Sequence, residues 1–300
     1  MEQQKIYDDF LVRLKKDLSI LPDKPEENAV NTLNALYHAA AGNKVSAVAS
    51  EKLELPELNA DQIKILEGLI QRRLSGVPLA HLTERQHFMG LDYILNKGHY
   101  IPRIETELLA KTAIDTITAD FANEESIIAI DLCCGIGTVA LAIAHYCKNA
   151  SVFGSDIFPP AIEAAHINAT HFALDKRATF FNANMFDPFE TLSLKNKVNV
   201  IVSAPPYISS AKVKLMADEI ASHEPEEAFD AGPFGLSIFT VIIATAPEYL
   251  ALNGYLIFEC GLGQGDFLAK RIESNGHYGP VDKICDENGN VRVLKTKKII

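Results

Sequence analysis

Two short stretches of the chain each follow an apolar strand and carry residues that could bind a ligand. In "AIDLCCGIGTVALAIA", a glycine-rich turn joins a strand to a helix, so the backbone can approach a ligand beside free helix amides. The stretch "VNVIVSAPPYISS" contains Ala204, Pro205, Pro206 and Tyr207. The two prolines lack amide protons and leave carbonyl oxygens free to accept hydrogen bonds, while Tyr207 offers a flat wall for a planar group. Each pattern is weak alone, but their order along the chain favours a binding site over ordinary loops.

Polar residues after the next two strands could complete a nucleotide site. Asp156 lies about 20 residues beyond the glycine turn, where an acid can accept both hydroxyls of a ribose; alternatively it caps the helix that starts near Pro159. Asn184 could accept a hydrogen bond from an adenine amino group while Met185 or Phe186 covers the ring. The alternative for Asn184 is an ordinary loop residue beside core aromatics.

The spacing of the glycine turn differs from the dinucleotide pattern G-x-G-x-x-G. It resembles the D-x-G-x-G-x-G loop that holds the amino-acid half of S-adenosylmethionine. The residues of this loop are Asp131, Cys133, Cys134, Gly135, Ile136 and Gly137. Cys133 stands where the first glycine of the pattern is expected, and a small cysteine is tolerated there if its φ stays negative.

The elements around these stretches predict an α/β fold with a small helical domain before it. Residues 1–85 have apolar residues at helical spacing, and Asn59 or Asp61 can cap one of these helices. Residues 86–104 predict a linking β-hairpin with its turn at 96–98, and residues 105–300 alternate apolar strands with helices, as parallel βαβ units do. The predicted strands of this last region are 126–133, 150–157, 178–185, 198–204 and 254–261, followed by an antiparallel pair that turns at 287–289.

Composition limits the classes of function. The formal charge of 28 − 39 = −11 opposes broad binding to nucleic acid, and no apolar run reaches the roughly 20 residues that span a bilayer. Five cysteines without metal-ligand spacing predict reduced thiols and no metal site. The polar N-terminus is unlike a secretion signal, so we expect a cytoplasmic protein with no membrane partner.

Longer stretches have the order and spacing of one enzyme family: "RRLSGVPLAHLTERQHFMGLDYILNKGHYIPRIETELL", "DLCCGIGTVALAIA", "GSDIFPPAIEAAHINA", "VSAPPYIS" and "EPEEAFDAGPFGLSIFTVIIATAPEYLALNGYLIFECGLGQGD". The chain thus resembles the HemK/PrmC-type peptide-chain-release-factor glutamine methyltransferases over nearly its whole length. The resemblance implies a Rossmann-like class I domain that binds S-adenosylmethionine, and an N-terminal domain that helps hold a protein substrate. It places the donor at Cys133 to Gly137, Asp156 and Met185, with Asn184 adjacent, and the acceptor at Ala204 to Tyr207.

Two departures from that family leave the methyl acceptor open. The family has Asn at position 204, where the resemblance implies a hydrogen bond from the substrate amide, and alanine cannot accept one. Glu226 and Glu227 replace the basic residue that usually follows the nearby proline. The sequence therefore predicts a methyltransferase with an altered acceptor, such as a small molecule, or a weakened enzyme that still methylates a protein such as a release factor. A non-catalytic scaffold and a DNA adenine methyltransferase are further alternatives; the acidic charge disfavours the latter.

Overall fold

The computed structural model describes residues 2–225, 228–232 and 235–300, so Glu226 and Glu227 lie outside the described residues. The chain divides into two compact units, one formed by 1–104 with 216–225 and the other by 105–215 with 226–300. The elements of the first unit are α1 (Glu2–Asp17), a 3-10 turn (Pro25–Glu27), α2 (Ala29–Ala40), α3 (Ala47–Ser50), α4 (Ala60–Leu74), α5 (Leu79–Thr83), β1 (Arg85–Phe88), β2 (Leu91–Ile94) and α10 (Asp218–Ala221).

Two helices of the first unit, α1 and α4, form where apolar residues at helical spacing predict them. α4 begins with a capping box, in which Asn59 and Gln62 satisfy each other's backbone amides, and Gly76 beyond its end has a φ of +94°. Leu66 and Ile70 on its apolar face are fully buried in a cluster with the other helices. The hairpin turns earlier than predicted, because β1 and β2 pair across Met89–Gly90 rather than across 96–98.

Residues 216–225 contribute two carboxylates to the interior of the first unit. Glu219 lies 3.0 Å from the Arg73 guanidinium, and Glu224 lies 2.5 Å from that of Arg103. All four side chains are at least nine-tenths buried. Since a buried charge that loses its partner costs about 3–5 kcal/mol, this short segment is integral to the unit although it is distant in sequence.

The second unit is built on one seven-stranded sheet. Its strands are β3 (Ile127–Leu132), β4 (Ala150–Asp156), β5 (Ala178–Asn182), β6 (Val198–Ser203), β7 (Leu250–Glu259), β8 (Tyr278–Cys285) and β9 (Val291–Lys298). Its helices are α6 (Thr106–Asp120), α7 (Thr138–Tyr146), α8 (Pro159–His171), α9 (Ser210–Val213), α11 (Ser237–Tyr249) and α12 (Gly265–Glu273), with a 3-10 turn at Asp187–Glu190. The strand order is β5-β4-β3-β6-β7-β9-β8, in which β3 to β7 are parallel and β9 is antiparallel to both of its neighbours.

This order places a ligand crevice at a defined point of the sheet. The chain runs outward from β3 through β4 to β5 and then returns to lay β6 on the other side of β3. In such sheets ligands bind at the carboxyl ends of the strands, where the direction of winding reverses. β3 and β6 are buried at nearly every position, as expected for central parallel strands, so the polar residues that follow them stand out. The fold thus places the site beyond Leu132 and Ser203.

Candidate functional site

Two hydrogen bonds connect the loops at the carboxyl ends of the central strands. The Ser203 hydroxyl donates to the carbonyl of Leu132 at 2.8 Å, which joins the end of β6 to the end of β3. The Ser155 hydroxyl donates to the carbonyl of Met185 at 2.7 Å, which joins β4 to the loop after β5. Both serines are fully buried. Four segments therefore begin at the carboxyl ends of neighbouring strands, which lie about 5 Å apart. They are the glycine turn, Asp156, the 183–185 loop and the diproline stretch.

The glycine turn has three residues in the left-handed region. Cys133 has a φ of +57°, Gly135 of +53° and Gly137 of +84°. The condition of a negative φ at Cys133 is thus not met: the turn imposes a glycine-like conformation on a cysteine, at a cost of roughly 1–2 kcal/mol. Nothing lies within 4 Å of a Cβ added at Gly135, whereas one at Gly137 would meet the Phe180 ring at 2.9 Å. Gly135 leaves open space for a ligand, and Gly137 lets the turn pack on β5.

The side chains between these residues anchor the turn. Cys134 and Ile136 are buried, at 4% and 3% exposure. The Cys134 amide donates to the carbonyl of Ser155, and the carbonyl of Ile136 accepts from the Asn168 side chain. These two residues, predicted as part of the donor site, therefore face the protein interior and shape the backbone of the turn.

Asp156 holds two backbone segments with its two carboxylate oxygens. One oxygen accepts from the Gly135 amide at 2.8 Å, and the other from the Phe158 amide at 2.9 Å, just before α8. Burial raises the pKa of Asp156, and the bonds from Phe158 and Gly135 oppose that rise. Each carboxylate oxygen has a second lone pair, so both ribose hydroxyls of a donor could still bind. The bond to Phe158 reaches the residue just before α8, whose N-cap carries no side-chain cap hydrogen bond.

Asp131 is a buried acid at the base of the turn. Its exposed fraction is 1%, and one carboxylate oxygen accepts from the Ala140 amide at 2.9 Å. Burial raises the pKa of Asp131 to about 8; the Ala140 bond lowers it, and the charge of Asp156 adds to the rise. Near neutral pH the group is thus largely protonated, and a nearby cation would favour its ionised form.

The loop after β5 presents Asn184 and Met185 differently. Asn184 is exposed, and its backbone carbonyl accepts from the Asp187 amide. Met185 is half-buried against the core of the unit, with a φ of +38°. An exposed amide beside a sulfur-containing apolar side chain fits the edge and the face of an adenine ring.

The diproline stretch begins with a side chain that offers no hydrogen-bonding group. Ala204 is half-buried, Pro205 is buried, and Pro206 and Tyr207 are half-buried. The Tyr207 hydroxyl donates to Glu259 at the end of β7, at 3.0 Å. The stretch is thus fixed at Tyr207 while its first position carries only a methyl group.

Sequence reasoning assigned no role to the residues that surround Tyr207. Glu259 is 2% exposed, and the Arg292 guanidinium from β9 lies 3.6 Å from the same oxygen that accepts from Tyr207. Burial raises the pKa of Glu259, and Arg292 and Tyr207 are among the groups that lower it. The Gln264 amide donates to the carbonyl of Tyr207 at 3.0 Å. The one available signal was an acid at the end of an otherwise apolar strand.

Other classes of site are not found among the described residues. No group of three or more His, Cys, Asp or Glu residues in that part of the chain could hold a metal ion, and the five cysteines are free thiols. No described helix is both long enough and apolar enough to cross a membrane.

The parallel sheet with its glycine turn, open above Gly135 and bounded by Asp156, together with the matching family model and relatives, defines the class of the protein: it is an S-adenosylmethionine-dependent methyltransferase with a Rossmann-like fold. The family model described as "Methyltransferase small domain" matches residues 109–228. The chain is 32% identical to the release factor glutamine methyltransferase of Geobacter sulfurreducens, with 91% of each chain covered. It is also 32% identical to that of Agrobacterium fabrum, covering 79% of this chain and 80% of the relative. The chain belongs to the release factor glutamine methyltransferase family.

Among solved structures, the hMettl16 catalytic domain in complex with MAT2A 3'UTR hairpin 6 has a TM-score of 0.50. It covers 66% of this chain and 72% of that chain at 12% identity, so it shows the shared fold alone.

Proposed function

We propose that this protein transfers the methyl group of S-adenosylmethionine to an acceptor that is a better nucleophile than a glutamine amide. The observation that carries the proposal is Ala204, which begins the diproline stretch and has no hydrogen-bond acceptor in its side chain. The rest of the candidate site keeps its polar groups, namely Asp131, Asp156, Asn184 and the fixed Tyr207.

The donor residues take the following roles in this proposal. The turn from Cys133 to Gly137 lies against the amino-acid half of the donor, Asp156 accepts from the ribose hydroxyls, and Asn184 with Met185 contacts the adenine. When bound, S-adenosylmethionine supplies an electrophilic methyl group that leaves with the carbon–sulfur electrons remaining on sulfur. The protein contributes proximity and alignment, which account for much of the catalysis of a direct displacement.

The acceptor side decides which nucleophile can react. An amide nitrogen has a delocalised lone pair, so it needs hydrogen-bond acceptors that turn its N–H bonds away from the donor methyl. Pro205 offers a backbone carbonyl for this purpose, but position 204 offers no side-chain partner. Loss of one aligned contact in a closed site costs on the order of 100-fold in rate. An amine, a thiolate or a carboxylate has an available lone pair and depends less on such a contact.

A second candidate is slow methylation of a release-factor glutamine. It is favoured by the identity of 32% over 91% of a release factor glutamine methyltransferase. In this case the Pro205 carbonyl alone orients the amide, and the first unit contacts the protein substrate.

The two candidates are separated by methyl-labelled S-adenosylmethionine, offered with a Gly-Gly-Gln release-factor domain and, in parallel, with a metabolite extract. We expect label in a small molecule and little in the glutamine. Ala204→Asn should raise glutamine labelling about 10- to 100-fold, whereas Ala204→Leu, similar in size but without an acceptor, should not. Rapid glutamine labelling by the unaltered protein would reject the changed acceptor. Absence of binding to S-adenosylhomocysteine would leave only the scaffold alternative.

A further inference from the structure

Tyr207 is held at its hydroxyl by a buried acid. Its hydroxyl donates to an oxygen of Glu259, and the Arg292 guanidinium lies 3.6 Å from that oxygen. Glu259 is 2% exposed and is the last residue of β7, while Arg292 is on the neighbouring strand β9. A charge-assisted hydrogen bond to a buried carboxylate restricts the tyrosine ring more than a hydrogen bond to water would. The sheet thus determines where the ring of Tyr207 points.

The backbone of Tyr207 is held by a different side chain. The Gln264 amide donates to the Tyr207 carbonyl at 3.0 Å and to the Gly235 carbonyl at 3.4 Å. The oxygen of the same amide accepts from the Gly261 amide at 2.9 Å. The Gln264 side chain therefore connects the loop after β7, through Gly261, to the residues around the diproline stretch.

Two glycines leave no free space on this side of Tyr207. A Cβ added at Gly261 would lie 3.0 Å from Cδ2 of the Tyr207 ring, and one at Gly235 would lie 2.5 Å from the Tyr207 carbonyl oxygen. Gly235 also has a φ of +68°. Tyr207 is consequently in close contact along its ring and its backbone, in addition to its hydrogen bonds with Glu259 and Gln264.

We propose that Glu259 and Gln264 are positioning residues that fix Tyr207 as the wall of the acceptor site. This inference rests on the proposed function, in which Tyr207 faces the acceptor. Glu259 sets the direction of the ring and Gln264 sets the position of the backbone, so neither residue has to touch the donor or the acceptor. Their loss should lower turnover and leave donor affinity unchanged.

Gln264→Glu is the sharpest variant, because it changes one group. The carboxylate can still accept from Gly261, but it presents an oxygen instead of a donor to the Tyr207 carbonyl. Glu259→Ala removes the acceptor of the hydroxyl proton, and Glu259→Gln keeps an oxygen that can accept from it. Lys298→Met is the matched control. Lys298 donates to the carbonyls of Pro247 in α11 and of Leu250, the first residue of β7, at the end of the strand opposite to Glu259. The variant therefore loses buried bonds without affecting Tyr207.

The ring can be observed directly by ¹⁹F NMR after labelling the nine tyrosines with fluorotyrosine, with the Tyr207 signal assigned from Tyr207→Phe. We expect Gln264→Glu and Glu259→Ala to shift or broaden this signal, and Glu259→Gln and Lys298→Met to leave it nearly unchanged. Turnover with the acceptor labelled above should fall at least tenfold in the first two variants. Affinity for S-adenosylhomocysteine should stay within about twofold.

Three results would be decisive. An unchanged Tyr207 signal in both Gln264→Glu and Glu259→Ala would overturn the proposal. Lower turnover accompanied by an equal fall in Lys298→Met would assign Glu259 and Gln264 a role in stability alone, which also overturns it. Shifted signals together with no methyl transfer to any acceptor would support the positioning of Tyr207 and reject the proposed function instead.

Discussion

The Ser203 hydroxyl donates to the carbonyl of Leu132, and this single bond joins the two loops that face each other across the candidate site. Leu132 precedes the glycine turn, and Ser203 precedes the diproline stretch. The two residues are also register partners in adjacent parallel strands. The relative position of the donor side and the acceptor side is therefore determined within the sheet, before any ligand binds.

Ser203→Ala should lower the free energy of unfolding by about 1–3 kcal/mol, because it leaves a buried carbonyl without this partner. Urea denaturation followed by circular dichroism measures the change. Ser274→Ala removes a similar bond, from an exposed serine to the Arg271 carbonyl, and should cost less than about 0.5 kcal/mol. Equal stabilities of the two variants would show that the Ser203 bond contributes little.

Asp156→Ala should weaken the binding of S-adenosylhomocysteine by about 10- to 100-fold, since both the proposed ribose contact and the bond that orders Gly135 are lost. Calorimetric titration gives the affinity. Asp175→Ala is the control, because Asp175 is an exposed acid that precedes the amino end of β5, away from the carboxyl ends of the strands. If the affinity is unchanged in Asp156→Ala, the assigned ribose role is wrong.

Replacement of Cys133 should invert the usual ranking of alanine and glycine. At a φ of +57° alanine is strained, so Cys133→Gly should be more stable than Cys133→Ala by about 1 kcal/mol. In an ordinary helix the order is reversed, and Ala119→Gly in α6 should lose about 0.5–1 kcal/mol. Thermal or urea denaturation of the variants tests the inversion. A Cys133→Ala variant as stable as Cys133→Gly would argue against the left-handed backbone.

Asp131 should make donor binding release a proton. The pKa of Asp131 is raised to about 8, chiefly by burial, so the group is mostly protonated in the free protein at pH 7. The cationic ammonium of S-adenosylhomocysteine favours the carboxylate, which lowers the pKa and expels the proton. Titrations in buffers of different ionisation enthalpy should detect up to about one proton released at pH 7, and none with Asp131→Asn.

The raised pKa of Asp131 also predicts the direction in which the free energy of unfolding changes with pH. The folded protein binds a proton at Asp131 more tightly than the unfolded chain does, since the ordinary pKa is 3.8. The Asp131 contribution to the free energy of unfolding should therefore decline as the pH rises from about 4 to about 8. Asp131→Asn should flatten this part of the profile, whereas an identical slope in the variant would contradict the raised pKa.

The fold followed from the sequence because its signals are local. Continuous apolar runs separated by helical patterns located the parallel strands, and the capping candidates Asn59 and Asp61 located the start of α4. The turn of the first hairpin was misplaced because Gly98 and Asn96 look like turn residues, whereas the strands pair across Met89 and Gly90. Register depends on which faces are buried, and four-residue strands give little pattern from which to read it.

The site was predictable where residues are close in sequence and unpredictable where they are not. The glycine turn and the diproline stretch each stand in one short segment. Glu259, Arg292 and Gln264 meet Tyr207 only because the sheet brings β6, β7 and β9 side by side. The φ of Cys133 was also missed, because the demand of the turn outweighed the preference of the residue.

The way that residues 216–225 complete the first unit has a consequence for biosynthesis. Arg73 and Arg103 leave the ribosome more than a hundred residues before Glu219 and Glu224, their later buried counterions. Until translation passes those two acids, each guanidinium has only its earlier carboxylate partner, Glu27 for Arg73 and Asp23 for Arg103, so a nascent chain halted at Ile104 should be a substrate for chaperones or proteases. Gene fragments cut at that position should accordingly yield poorly folded polypeptide.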